Sequence, residues 1–258
     1  MQNRPGASFE LGEVVELYPF RPPYPEAVFA HLAALAPRRD AVLDIGCGPG
    51  KVSRPLTRSF ASVVAVDPSQ NMIALGQTLP DGRAPNLHWI NGFAEDAPMD
   101  GWSFDLTVAA ASIHWMQLDR LFPRLRAHAA PGHIFAAVSG DDAFEPPWDS
   151  EWKSFLAKWV MEVTGRPFEP RWPDAIAGNF GGHVDVAGRQ FFAAPFSQRI
   201  DDFIKCQHSR DTWAYSKLGS RTAAFDAELA ALLAPHAVDG QLAYTVRTLV
   251  TWGRIRPE

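Results

Sequence analysis

The sequence predicts an open α/β sheet of mostly parallel strands. Three observations carry this: short apolar β-prone runs that stop on an acidic residue, three glycines (Gly46, Gly48, Gly50) directly after the first of these runs, and helix-period stretches between them. Sheets of this class bind ligands at the carboxyl ends of their strands. A chain of 258 residues suffices for one domain spanning 1–258 with an elaborated cap.

Taken in order, Phe9, Leu11, Val14, Val15 and Leu17 recur among acids at near helical spacing and predict a short amphipathic helix. The prolines of Tyr18-Pro-Phe-Arg21-Pro-Pro-Tyr24-Pro forbid helix and hold an extended turn, after which Glu26 to Leu35 reads as a helix. Val42, Leu43 and Ile45 make the first strand around Asp44. The next helix runs from about Lys51 to Phe60, with Pro55 in its first turn, where a missing N–H leaves no acceptor unsatisfied. Ser62 to Val66 is the second strand, ending at Asp67, and a helix follows over Ser69 to Leu79. Asn86 to Ile90 and Phe104 to Ala109 are the third and fourth strands. Asp119 is expected to cap a helix reaching about Ala129. Pro131-Gly132 then turns into the fifth strand, His133 to Val138, with His128 and His133 expected on the surface.

The alternation breaks over 140–188. Trp148, Trp152, Phe155 and Trp159 fall on one face of a helix over Asp149 to Val163, and Trp172 follows in a Pro-rich loop. The stripe either caps an acceptor site or packs its helix onto the sheet. Gln190 to His208 reads as two strands around Pro195, Asp211 to Leu218 and Ala223 to Leu233 as helices, and Leu242 to Ile255 as a final strand.

The glycine spacing separates two ligand classes. A dinucleotide site needs GxGxxG, but Lys51 stands where the third glycine belongs. The stretch VLDIGCGPG, residues 42–50, instead closely resembles motif I of the class I S-adenosylmethionine-dependent methyltransferases. The YxxRPxYP-like segment from Tyr18 and the AxxxHW run ending in His114-Trp115 resemble the small-molecule subgroup similar to trans-aconitate methyltransferase. The resemblance is clear over about Tyr18 to Val138. It implies a Rossmann-like, seven-stranded, mostly parallel sheet flanked by helices, with N-terminal helices (1–36) over the cofactor and a helical cap insertion (140–188).

The same resemblance puts Asp44, Gly46, Cys47 and Gly48 around the amino acid and nucleoside of S-adenosylmethionine. Tyr18, Arg21 and Tyr24 lie over that cofactor, with Arg21 available to its carboxylate; otherwise Arg21 is a solvated loop charge and the tyrosines are packing. Asp67 stands 21 residues after Gly46, the interval at which a strand-end carboxylate can accept from both ribose hydroxyls; alternatively it caps the next helix. Pro68 and Met72 are placed beside adenine, as are Ala94 and Glu95 of the turn Phe93-Ala94-Glu95-Asp96, where Phe93 replaces the family's usual acid. Ala110 begins the segment where methyl group and acceptor meet. His114 is the candidate base there, or a structural hydrogen-bonder, and a base is needed only if the acceptor must lose a proton. Tyr24, Trp115, Trp148 and Trp213 are the candidates for the acceptor pocket.

Composition narrows the partners. A net charge of −5 and a pI near 5.9 disfavour nucleic acid as substrate, and no Asn/Asp-Pro-Pro-aromatic cluster follows the fourth strand. No apolar run reaches signal-peptide or membrane-spanning length, and Cys47 and Cys206 read as free thiols, so a cytoplasmic protein without membrane contact is expected. No metal-ligand spacing occurs, and a homodimer is compatible with this reading. Two competitors are a noncatalytic cofactor-binding partner protein and an NAD(P)-dependent oxidoreductase.

Overall fold

The computed structural model describes residues 7–169 and 180–257; Trp172 lies outside the described residues. In chain order the helices are α1 (Gly12–Leu17), α2 (Glu26–Leu35), α3 (Ser53–Leu56), α4 (Gln70–Thr78), α5 (Leu118–Ala127), α6 (Asp149–Thr164), α7 (Ile200–His208), α8 (Tyr215–Leu218) and α9 (Thr222–Leu233). The strands are β1 (Ala41–Ile45), β2 (Ser62–Asp67), β3 (Leu87–Asn91), β4 (Phe104–Ala110), β5 (Ala129–Ser139), β6 (Ala143–Phe144), β7 (Val184–Arg199) and β8 (Gln241–Ile255). Eight strands stand against the seven expected, and the two-residue β6 accounts for the difference.

The chain divides into two compact units. The sheet unit comprises Tyr24–Gly140, Trp172–Phe192 and Thr248–Glu258. The helical unit comprises Met1–Pro23, Asp141–Arg171 and Ala193–Arg247. The proposed cap segment is therefore shared between them.

In the sheet unit the strands run in the order β3-β2-β1-β4-β5, all parallel, and the end of β8 joins β5 antiparallel. β1 lies between β2 and β4 and is buried throughout, which is why it reads as an apolar run. Alternate residues feed opposite layers. Val42, Val63 and Leu106 pack with Val28, Leu32 and Leu56, whereas Leu43, Ile45 and Val64 pack with Leu121, Phe122 and Phe135. Register sets Asp44 beside Ala65 and Val108, and Asp67 beside Asn91, so the carboxyl ends of β1, β2 and β4 lie side by side.

The helical unit has its own core. Trp148, Phe155 and Trp159 are buried with Phe203, Trp213, Phe225 and Tyr244, and the rings of Phe155 and Trp159 stand 5.0 and 5.1 Å from that of Phe225. The aromatic stripe thus packs α6 against α7, α9 and the first half of β8. Offset and edge contacts of this kind add about 0.5 to 1.5 kcal/mol each beyond burial.

Four local expectations are corrected. The helix over residues 52–60 shrinks to the single turn α3, with turns continuing it to Phe60. β7 runs unbroken through Pro195; its half-exposed pattern is that of an edge strand, where proline is tolerated, and α7 begins at Ile200 with Asp201 and Asp202 in its first turn. Asp119 sits inside α5 instead of capping it, and its carboxylate meets His183 at 3.1 Å. His133 is buried, 2.9 Å from Thr107 Oγ1, because the Pro131-Gly132 turn is a bulge within β5, with Gly132 at φ +83°.

Candidate functional site

At the carboxyl end of β1 the chain turns through Gly46 (φ +63°), Gly48 (φ +54°) and Gly50 (φ +76°), a run of left-handed conformations that side chains resist. Space forbids a side chain as well. A Cβ on Gly46 would stand 2.5 Å from Ser112 Cβ, and one on Gly50 would stand 2.7 Å from the Trp89 ring. The Ser112 hydroxyl donates to the Ile45 carbonyl at 2.7 Å, tying the segment after β4 to the start of this turn. Ala111, just before it, holds φ +51°, the kind of strained backbone that clusters at functional sites.

Asp67 closes the turn from β2. Gly48 N–H donates to its Oδ2 at 2.7 Å and Ser69 N–H to its Oδ1 at 2.8 Å. Burial raises its carboxyl above the ordinary range, opposed by those two N–H donors. Each oxygen keeps a lone pair for another donor. The cap of α4 is Ser69, whose hydroxyl accepts from Met72 N–H at 3.2 Å, so Asp67 serves the turn more than the helix.

Asp44 is wholly buried beneath the turn. Ser53 donates to its Oδ2 at 2.5 Å, while Oδ1 has no partner. Burial pushes this carboxyl up to about 7, the Ser53 hydroxyl and backbone N–H opposing and the Asp67 charge assisting. The buried Cys47 thiol is pushed well up by burial and by both aspartates, so it stays protonated.

The remaining expected residues are distributed as follows. Tyr24 is buried and takes the Lys51 ammonium over its ring at 4.5 Å. Ala94 is buried, and Glu95 Oε1 accepts from Gln117 N–H at 2.7 Å, at the start of α5. Pro68 is exposed, whereas Met72 is buried at 1% exposure within α4. Ala110 ends β4, and the short 3₁₀ turn Ile113–Trp115 beyond it leaves His114 and Trp115 exposed with rings 4.5 Å apart.

In the helical unit, Arg21 is gripped rather than solvated. Its Nε donates to Ser209 Oγ at 2.8 Å, its Nη2 to the Ser209 carbonyl at 2.6 Å, and its guanidinium covers Tyr18 at 4.3 Å. Trp148 is completely buried and Trp213 is 4% exposed beside Phe225. Both are core residues and not walls of an open pocket, because the helices and β8 cover them. Sequence reasoning missed Ser53 and Ser112, whose roles come from neighbours 9 and 67 residues away. Among the described residues no three His, Cys, Asp or Glu gather as a metal site, and no helix is long and apolar enough to cross a membrane.

Comparison with known proteins agrees with this geometry. The family description "Methyltransferase domain" matches residues 42–132, the stretch from β1 to the β5 bulge. An uncharacterized methyltransferase of Mycobacterium bovis is 35% identical over 170 residues, 65% of this chain and 64% of that protein. The chain thus spans slightly less than two thirds of that relative's length. A trans-aconitate 2-methyltransferase of Delftia acidovorans is 36% identical over 125 residues, 45% of this chain and 44% of the relative. The solved structure of a protein from Anaeromyxobacter dehalogenans, assigned as a type II methyltransferase, superposes with a TM-score of 0.69 at 26% identity, covering 92% of this chain and 99% of the other. The glycine turn, the two strand-end aspartates and the Rossmann-like sheet, together with these likenesses, support a class I S-adenosylmethionine-dependent methyltransferase.

Proposed function

We propose that this chain transfers a methyl group from S-adenosylmethionine to an oxygen or nitrogen of a small-molecule acceptor, a carboxylate or a natural-product intermediate. The observation that carries the reading is the pairing of Asp67, held by Gly48 and Ser69 N–H, with a second buried carboxyl, Asp44, whose Oδ1 has no partner. The residues fit the cofactor. Asp67 retains acceptor capacity for two hydroxyls, Asp44 offers an acceptor to an ammonium, and the glycines leave room where Cβ atoms would clash.

The cofactor supplies an activated methyl group, and the chain's task is orientation and the exclusion of water. Asp67 would hold the ribose and Asp44 would receive the amino acid end, while Ser112 fixes the turn against the segment that carries His114. An ionised carboxylate acceptor needs no base, whereas a hydroxyl or ammonium gives its proton to His114, which stands exposed just past β4. Similarity to trans-aconitate 2-methyltransferases supports the carboxylate class.

Methyl-labelled S-adenosylmethionine incubated with the chain and a set of small polycarboxylates, trans-aconitate included, should give labelled ester. Calorimetric titration should show S-adenosylhomocysteine binding and no heat from NAD. Binding without label transfer to any member of a metabolite extract would instead establish a cofactor-binding protein without turnover.

A further inference from the structure

Among the described residues, no positive charge acts on Asp44. β1 places it between Ala65 of β2 and Val108 of β4, both uncharged. The turn contributes the Cys47 thiol, β2 contributes the like charge of Asp67, and α3 contributes the Ser53 hydroxyl and backbone N–H, both neutral donors. The neighbouring cations are committed elsewhere. Arg54 donates to the Pro49 and Pro80 carbonyls, and Lys51 lies over Tyr24. One carboxyl oxygen is held by Ser53, and the other is a buried acceptor without a donor. A carboxyl in such a place keeps its proton until a cation arrives.

Resting on the functional reading above, we infer that cofactor capture is proton-linked: Asp44 carries a proton in the free protein and releases it to solvent when the ammonium of the ligand's amino acid reaches Oδ1. The upward displacement of this carboxyl to about 7 agrees. The direction of the linkage is fixed. A group that must be ionised to receive the ligand makes binding weaken as pH falls below its free-state titration. Affinity should therefore fall about tenfold from pH 8 to pH 6. Ser53 is a positioning residue here, since its hydroxyl favours the ionised form and holds the carboxyl plane with Oδ1 open.

The test is calorimetric titration of the full chain with S-adenosylhomocysteine at pH 7, in phosphate and in imidazole buffer, which differ in heat of ionisation. The expected result is release of roughly half a proton per ligand at pH 7, falling towards zero at pH 8.5. Asp44→Asn should abolish the buffer-dependent heat and flatten affinity between pH 6 and 8. If that variant does not fold, Ser53→Ala serves: without the hydroxyl, release should persist to higher pH than in the unsubstituted chain. Binding with equal heats in both buffers, or an Asp44→Asn variant that still releases protons, overturns the inference and leaves the methyltransferase reading standing. Absence of any binding by the unsubstituted chain overturns both.

Discussion

Asp44 and Asp105 lie on adjacent strands, β1 and β4, and neither side chain reaches solvent. Their surroundings are opposite. Asp105, near the amino end of β4, accepts from Arg38 Nε at 3.2 Å, Asp40 N–H at 2.9 Å and Ala41 N–H at 3.2 Å. Asp44, near the carboxyl end of β1, has only the hydroxyl and N–H of Ser53, no cation, and an oxygen with no donor. The saturated carboxylate stitches the loop before β1 to β4. The unsaturated one destabilises the empty site and has a use only when something else supplies a cation. Buried acids of similar exposure therefore separate into fold and function by counting donors, at the two ends of one sheet.

The same substitution at both positions should break the symmetry most strongly. Asp105→Asn puts an amide where three donors converge, and the stranded backbone N–H groups should lower unfolding free energy by about 3 kcal/mol. Asp44→Asn should hold or gain stability at pH 8, because it removes a buried charge that no cation compensates. Urea denaturation of the two variants measures this directly. Equal losses at both sites would erase the distinction.

Next in size is the turn itself. Gly46→Ala forces a left-handed residue with a Cβ 2.5 Å from Ser112 Cβ, and should cost about 2 to 3 kcal/mol of stability. Adding Ser112→Gly should recover part of that loss by opening the space, although it also deletes the hydrogen bond to Ile45. No recovery in the double variant would mean that backbone strain alone sets the penalty.

The ligand-facing end should also show an effect on binding. Asp67→Ala should weaken S-adenosylhomocysteine affinity by about 2 kcal/mol. The sequence alone suggests that this change spares the fold. The structure adds a consequence, since Asp67 also holds Gly48 and Ser69 N–H, and the variant should melt slightly earlier even without ligand. Unchanged affinity with earlier melting would reduce Asp67 to a brace for the turn.

What was legible in the chain follows from locality. The turn after β1 could be read because three glycines in a row of alternate positions admit few conformations, and Asp67 stood out because it ends the second apolar run, 21 residues after Gly46. Ser112 and Ser53 could not be read, since serine is common and their partners are set by strand packing rather than by spacing. Trp148 and Trp159 declared a helical face, but periodicity does not name what covers that face, and the answer came from α7, α9 and β8, up to about a hundred residues later. The division into two units was hidden for a similar reason: each is assembled from three separate segments. His133 was misplaced because a Pro-Gly pair usually marks an exposed turn, whereas here it makes a bulge inside a strand.

His133 also gives the comparison its finest test, because it titrates against Asp44. Burial pulls its imidazole down to about 4, opposed by Asp105, so the folded chain prefers it neutral. Its contribution to stability is complete above the ordinary histidine value of about 6.5 and is lost as pH falls towards 4. Asp44 runs the other way. With its folded value raised to about 7, its contribution is complete below the ordinary aspartate value and is lost as pH rises through 7. Between about pH 4 and 6.5 the two slopes oppose each other within one sheet. Removing either should expose the other: from pH 5 to pH 6.5, Asp44→Asn should gain about 2 kcal/mol on the unsubstituted chain, and His133→Asn should lose a similar amount. Urea midpoints at those two pH values decide it. Parallel shifts of both variants would show that neither end of the sheet carries the proton linkage its hydrogen bonds imply.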